Sequence, residues 1–283
     1  TNKGVEIELG YKNYDKQFKY DVNANFSLLS NEVTYLNPLL ERANGASLGT
    51  GWTVTYLELG YPVWYFRGYE TAGIFQNQAE IDAYKEANGG LVGYNPVPGD
   101  PIVVNTNGDK LINNEDQTKI GDPHPDFMWG ANLSMSYKGL DFRMFLQGVH
   151  GHDVLLGFNR TDRATSNRPQ FFFDERWTGE GSTNERPRAD QGNPYIYNSD
   201  LMVYDGSFVR VKQIQLGYTI PDNSLNNIFQ KLRFFVSLDD YFTFTKYPGM
   251  DPSAGTGRDN SQGIDRGFYP TPGKVMFGLS CTL

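Results

Sequence analysis

The residues with the clearest chemical spacing are oxygen ligands in one short stretch. Asn105, Asn107, Asp109, Leu111 and Asp116, with Ile112 between the last two, follow the ligand pattern of an EF-hand or dockerin-type calcium loop. Hard cations are held by several oxygens from one such loop. Two departures weaken the pattern: the first position is Asn105 rather than Asp, and Lys110 stands where the turn glycine belongs. A Ca²⁺ ion is therefore one reading, and no cofactor is required. The other is an Asx-rich turn that satisfies itself through side-chain to backbone bonds. His150 and His152, two apart, would share one strand face as metal ligands, but no third ligand is evident and His124 is far off in sequence. Without one they read as a loop pair. Trp52, Trp64, Trp129 and Trp177, with Tyr56, Tyr61, Tyr65 and Tyr69, could stack on sugar rings. Aromatics of this kind also build structural girdles. That use is favoured for Trp129 and Tyr137, and both readings stay open for Trp52 to Tyr69. There is no nucleophile motif, no HExxH, no phosphate-cradling glycine loop and no paired carboxylates in a supporting context. Asp239-Asp240 and Asp174-Glu175 read as polar residues of a lumen or of loops, so the chain is not expected to be an enzyme.

Elements rich in turns must position these residues. The chain has 283 residues, with 18 Tyr, 19 Phe and 31 Gly. That usage leans toward an all-β chain with many turns. A net charge of -8 argues against a nucleic-acid binder, whose footprint would be basic. The single cysteine, Cys281, cannot close an internal disulfide and reads as a small apolar wall residue. No apolar run reaches the roughly 18 residues of a membrane-spanning helix. Mean hydropathy is -0.53, a value a transmembrane barrel shares with soluble proteins because its inner face and loops are polar. The start at Thr1 has no initiator Met and no basic n-region, so the chain is expected to be mature, processed or a fragment.

Period-two alternation then organises the chain. Val5, Ile7, Leu9 and Tyr11 alternate with polar neighbours. After a turn at Asn13 to Lys16 so do Phe18, Tyr20, Val22, Ala24 and Phe26. A second hairpin sets Leu133, Met135 and Tyr137 against Phe142, Met144 and Leu146, around a turn at Lys138-Gly139-Leu140-Asp141. A third sets Ile214, Leu216 and Tyr218 against Leu232, Phe234, Val236 and Leu238, joined by Pro221 to Gln230. The chain ends on KVMFGLSCTL, Lys274 to Leu283. Long polar stretches separate the hairpins: Asn31 to Asp126, Gly151 to Tyr204 and Lys246 to Pro272. The first carries weak strand signals at Val54 to Leu59 and Trp64 to Tyr69 and a helical patch near Gln78 to Ala87. Strands of about ten residues suit a tilted bilayer crossing. Counting back through seven strands puts every short turn at one end and every long loop at the other, as in outer-membrane barrels. Glu6, Glu8, Lys19, Asp21, Asn23, Arg143 and Gln147 share the polar face. They suit a wet lumen and would be poor in a sandwich core. Val275, Phe277, Leu279 and Cys281 would face lipid, with Ser280 and Thr282 toward the lumen.

Several phrases resemble the SusC-like (RagA-like) TonB-dependent outer-membrane transporters of Bacteroidetes. They are NKGVEIEL, GYETAGIFQNQAEIDAY, IGDPHPDFMWGANLSMSYKGLDFRMFLQGVHGHD (Ile120 to Asp153), RWTGEGSTNERPR, DGSFVRVKQIQLGYTIP and YFTFTKYPGMDP, in family order over nearly the whole chain. The resemblance implies an antiparallel transmembrane β-barrel of about 22 strands, of which residues 1–283 would supply the last seven or so, with long extracellular loops. It also implies a plug and earlier strands, with the TonB-binding segment, that lie outside this sequence. The implied activity is active import of oligosaccharides or peptides, powered by TonB, with a SusD-like surface lipoprotein as lid. The implied location is the outer membrane, in contact with its lipid, and no nucleic acid is involved. Seven strands cannot close such a barrel, so the rest of the wall is expected elsewhere. One departure is the end: the family finishes its last strand on an aromatic residue, and here it is Leu283. The alternative from alternation alone is a soluble β-sandwich that grips glycans through its aromatics.

Overall fold

The computed structural model describes residues 1–48, 52–157, 168–189, 193–221, 229–253 and 259–282. Its frame is one sheet of seven strands: β1 (Asn2–Asn13), β2 (Phe18–Asn31), β3 (Phe127–Tyr137), β4 (Leu140–His150), β5 (Phe208–Ile220), β6 (Lys231–Thr245) and β7 (Lys274–Thr282). They lie side by side in chain order, every neighbouring pair antiparallel. The expected meander is therefore present. The strands make a single layer, not two sheets packed face to face, so the sandwich alternative falls.

The register turns alternation into two surfaces. Tyr11, Val22, Leu133, Met144, Ile214, Leu238 and Val275 form one row straight across the sheet. The next row, on the opposite face, is Gly10, Asn23, Asn132, Phe145, Gln213, Asp239 and Lys274. The apolar face stays uncovered: Ile7, Leu9, Leu216 and Leu279 are exposed, and Phe277 is 84% exposed. Cys281, also exposed, lies on the same face opposite Leu232. A contiguous apolar band of this size marks a surface meant for another apolar phase. On the polar face Arg233 forks onto Asp141, with Nε to Oδ2 at 2.9 Å and Nη2 to Oδ1 at 2.5 Å, and Nη2 also reaches Gln215 Oε1 at 3.1 Å. Gly217 leaves room for that pair, because a Cβ there would lie 2.4 Å from both partners.

Sequence boundaries and structure differ at two places. The second hairpin turns on Lys138 and Gly139 alone, whose φ angles of 46° and 87° are those of a type I′ turn. Leu140 and Asp141, expected in the turn, already belong to β4. The third hairpin is longer than its alternation suggests. Lys212 is an extra residue opposite the step from Phe145 to Leu146, and β6 steps from Asp239 to Phe242 opposite Gln213 and Val211. This bulge moves the apolar positions of β5 from Ile214 to Val211 and Val209, which breaks period two. Lys212 Nζ and Asp240 Oδ1 pair across it at 2.5 Å. Residues 222–228 of the expected Pro221 to Gln230 connection, and Leu283, lie outside the described residues.

Candidate functional site

The sequence shows three long connections between the hairpins but no link among them. They fold as one body at one end of the sheet, while the short turns, Asn13 to Phe18 and Tyr137 to Leu140, lie at the other. Ala46, Leu48, Val54 and Phe66 of the first connection, Leu155 of the second and Ile264 of the third bury one another in a common core. The backbone is stitched in the same way. Strand Asp153–Leu156 pairs antiparallel with Val203–Asp205 and parallel with Ile264–Asp265. Thr55 Oγ1 donates to the Asn260 carbonyl at 2.7 Å, and Thr71 donates through N and Oγ1 to the two Asp200 oxygens at 3.0 and 2.7 Å. The weak strand signals are real strands, Thr55–Glu58 and Tyr65–Gly68. The helical patch is a helix, Gln78–Asn88, capped by Asn77 and packed through the buried Ile81.

A cleft of ≈ 730 Å³ opens in this body. Trp52, Tyr56 and Tyr69 line it, facing Arg67, Gln117 and Asn198 among others. Strand Tyr65–Gly68 presents Arg67, whose Nη1 donates to Gln117 Oε1 at 2.9 Å and whose guanidinium carbon sits 5.7 Å from the Tyr56 ring centre. The Tyr69 hydroxyl donates to Asn114 Oδ1 at 3.1 Å, and its ring packs on Tyr195 at 4.8 Å. Asn198 is buried, and its Oδ1 has no partner among the described residues. Fixed amides and a guanidinium beside aromatic rings suit a polar ligand with a flat or apolar face. Of the aromatics singled out by sequence, Trp52, Tyr56 and Tyr69 reach the cleft. Tyr65 is buried and stacks on Tyr61 at 4.6 Å. Burial and the Glu58 carboxylate that its hydroxyl bonds push the Tyr65 phenol well above its ordinary value. Trp177 packs inside the body, with Nε1 donating to Gln76 Oε1 at 3.1 Å. Trp129 stays on the wall, with Nε1 donating to His150 Nε2 at 3.2 Å. Arg67, Asn114, Gln117, Tyr195 and Asn198 were missed; only the Tyr65–Gly68 strand pattern hinted at Arg67.

The Asn105 to Asp116 stretch folds tightly on itself beside the cleft. Asn105 Oδ1 accepts from Gly108 N at 2.7 Å, Asn107 Oδ1 from Asp109 N at 2.9 Å and Asp109 Oδ1 from Leu111 N at 2.8 Å. Asp116, fully buried, accepts from Thr106 N at 3.0 Å and Asn113 N at 2.9 Å. Each of these Asx oxygens thus already has a backbone donor, and further lone pairs remain on the two carboxylates. Among the described residues no group of three or more His, Cys, Asp or Glu gathers as a metal site.

The histidine pair does not share a strand face. β4 ends at His150, and Gly151, at φ 79°, turns the chain before His152. The His150 ring stacks on Phe127, whereas His152 is buried, its Nε2 3.3 Å from the Pro252 carbonyl. Burial pushes the His152 imidazole below its ordinary value.

A single antiparallel layer, apolar on one side and polar on the other with its long connections fused at one end, is a segment of a membrane β-barrel wall. No family model matches the chain. TonB-dependent receptor P3 of Formosa agariphila is 30% identical over 297 residues, taking in 99% of this chain and 28% of that protein. TonB-dependent receptor P26 of the same organism is 29% identical over 306 residues, with 99% and 29% covered. TonB-dependent receptor SusC of Bacteroides thetaiotaomicron is 24% identical over 290 residues, with 99% and 26% covered. Among solved structures, the RagAB peptide importer in its open-open state superposes with a TM-score of 0.69 at 22% identity, over 100% of this chain and 28% of that one. The RagAB peptide transporter gives 0.70 at 20%, over 99% and 29%. These two likenesses speak to the fold alone. The chain's homologues along its whole length are TonB-dependent receptors, SusC among them, and it spans under a third of their length. The named relatives are receptors rather than enzymes.

Proposed function

We propose that residues 1–283 form one portion of the barrel of an outer-membrane, TonB-dependent importer, whose plug and remaining strands belong to the rest of the polypeptide. The observation that carries this reading is the two-faced seven-stranded wall with all its long connections gathered into one body. Homology to TonB-dependent receptors over the whole chain supports it. In this reading the apolar face meets lipid, the polar face lines the lumen and the loop body faces outward. There the cleft around Trp52 and Arg67 contacts an oligosaccharide or a peptide, and a SusD-like lipoprotein closes over it as a lid. TonB acts through the part of the receptor outside this chain.

Uptake by cells that carry the full-length receptor tests the proposal. Labelled oligosaccharides or peptides should enter with the receptor present and cease to enter when TonB is deleted. Trp52→Ala with Arg67→Ala should lower uptake about tenfold or more, since aromatic stacking contributes about 0.5–1.5 kcal/mol and a charged hydrogen bond about 1.5–3 kcal/mol. Uptake indifferent to TonB loss would sink the assignment.

We also propose that the Asn105 to Asp116 loop takes a calcium ion weakly, through Asn105, Asn107, Asp109, Leu111 and Asp116. The spacing supports this, as do the lone pairs left on the Asp109 and Asp116 carboxylates. With so few charges the expected dissociation constant is on the order of 10⁻⁴–10⁻³ M. Calorimetric titration of the full-length receptor reads it directly, and no heat at millimolar calcium removes the site.

A further inference from the structure

A second cavity in the loop body, ≈ 370 Å³, has a different chemistry from the cleft. Its floor is apolar: Ile196, Tyr197 and Met202 are each about 97% buried, and Phe172 packs against them. Four arginines line it, Arg168, Arg176, Arg186 and Arg188, against one acid, the exposed Glu185. Two of the four are already held. Arg186 pairs with Glu175 and donates to the Tyr204 hydroxyl at 2.9 Å, and Arg188 Nε meets Asp100 Oδ1 at 2.9 Å.

The other two have no acid partner among the described residues. Arg168 Nη1 donates to the Tyr197 hydroxyl at 2.6 Å with its guanidinium 5.7 Å from that ring, while its buried Nη2 has no acceptor there. Arg176, partly buried, lies 3.7 Å over the Phe173 ring and donates through Nη1 to the Phe173 carbonyl. Half-buried cations against an apolar floor carry a desolvation cost that an anion would offset. In a chain of net charge -8 such a concentration of positive charge is also local.

We propose that this cavity binds the carboxylate of an amphipathic ligand, with Arg168 and Arg176 gripping the two oxygens and the apolar body lying on Phe172, Ile196 and Met202. A planar guanidinium matches a carboxylate through paired N–H donors. Bare phosphate or sulfate would leave the floor uncovered, and a neutral sugar would leave the cations unmatched. The carboxylate comes from either a free organic acid or the C-terminus of a peptide with an apolar last residue. Such binding needs no transport step.

Calorimetry on the detergent-solubilised full-length receptor tests it with four probes: hippurate, its carboxamide, the peptide Gly-Gly-Phe and the same peptide amidated at its C-terminus. Each acid should bind at least about tenfold more tightly than its amide. Arg176→Gln should bring acid binding down to the amide level and leave the amide unchanged, and Arg168→Gln should do the same. Arg176→Lys should retain part of the preference, and unchanged thermal unfolding of Arg176→Gln serves as the folding control. If Gly-Gly-Phe binds more tightly than hippurate, the source is a peptide terminus. If the two acids bind alike, it is a small free acid; both results support the site. The proposal is overturned if acids and amides bind equally, if neither acid binds, or if both glutamine variants keep the wild-type preference.

Discussion

Leu133→Arg in the full-length receptor should cost about 2–4 kcal/mol of folding stability in lipid, whereas Asn132→Arg, one residue earlier, should stay within about 0.5 kcal/mol. The two residues are adjacent on β3 but fall in opposite rows of the sheet. Leu133 sits between Val22 and Met144, and Asn132 between Asn23 and Phe145. An arginine in the first row must carry its charge into hydrocarbon midway along the strand. In the second it joins Gln213 and Asp239, which share its row, on a face that already accommodates charge. Denaturant titration of the receptor folded into vesicles measures both. Equal penalties would mean that the apolar face does not meet lipid.

Asp251→Ala should loosen the third connection by about 3–5 kcal/mol, because it strands a buried cation. Arg210, near the start of β5, is clamped from three sides: Nη2 to Asp251 Oδ1 at 2.6 Å, Nε to Thr243 Oγ1 at 3.0 Å and Nη1 to Ser253 Oγ at 3.3 Å. The two side chains are only 6% and 10% exposed. Asp251 Oδ2 also accepts from Thr271 N at 3.0 Å, so one carboxylate fastens both ends of the connection's loop to the wall. Hydrogen exchange in residues 247–253 and 264–272 should speed up in the variant. Arg210→Met combined with Asp251→Leu should recover much of the loss, since no charge is then left unpaired. Burial would raise the Asp251 pKa. The Ser253 hydroxyl, the Thr271 and Ser253 amides and Arg210 outweigh it and hold the carboxyl well below the usual range. A depressed carboxylate stabilises above its unfolded pKa of about 3.9 and loses that contribution as pH falls toward the folded value. Protection of this connection should therefore be flat from pH 8 to 5 and decline only in stronger acid.

Alternation made the wall legible because each strand is two-faced and each short turn carries its own signal. Ile214 to Tyr218 could be read as half of a hairpin, whereas Val209 and Val211 could not, because Lys212 shifts the phase between them. The tight turn reads two residues too long from sequence because Gly139 and Asp141, both turn-forming types, flank Leu140. The loop body was much less legible. Phe66, Leu155 and Ile264 meet in one core although they are separated by up to about two hundred residues of sequence, and nothing local in any of them announces the others. The cleft inherits that difficulty. Trp52 and Tyr56 stood out by type, but Gln117 and Asn198 are ordinary polar residues whose importance arises only from where the packing sets them. The arginine cavity is a similar case, drawn from positions 168, 176, 186 and 188 beside a floor from 196 to 202.

The shared core also constrains how such a receptor can diversify. Leu155 pairs with Ile264 on a parallel ladder, and Thr55 is bonded to the Asn260 carbonyl. A chimaera that borrows one connection from a relative would bring half of each contact without its mate. Exchange is workable only when all three connections travel together on an unchanged set of strands. The loop body is then inherited as a cassette, and recombination inside it fails on packing alone.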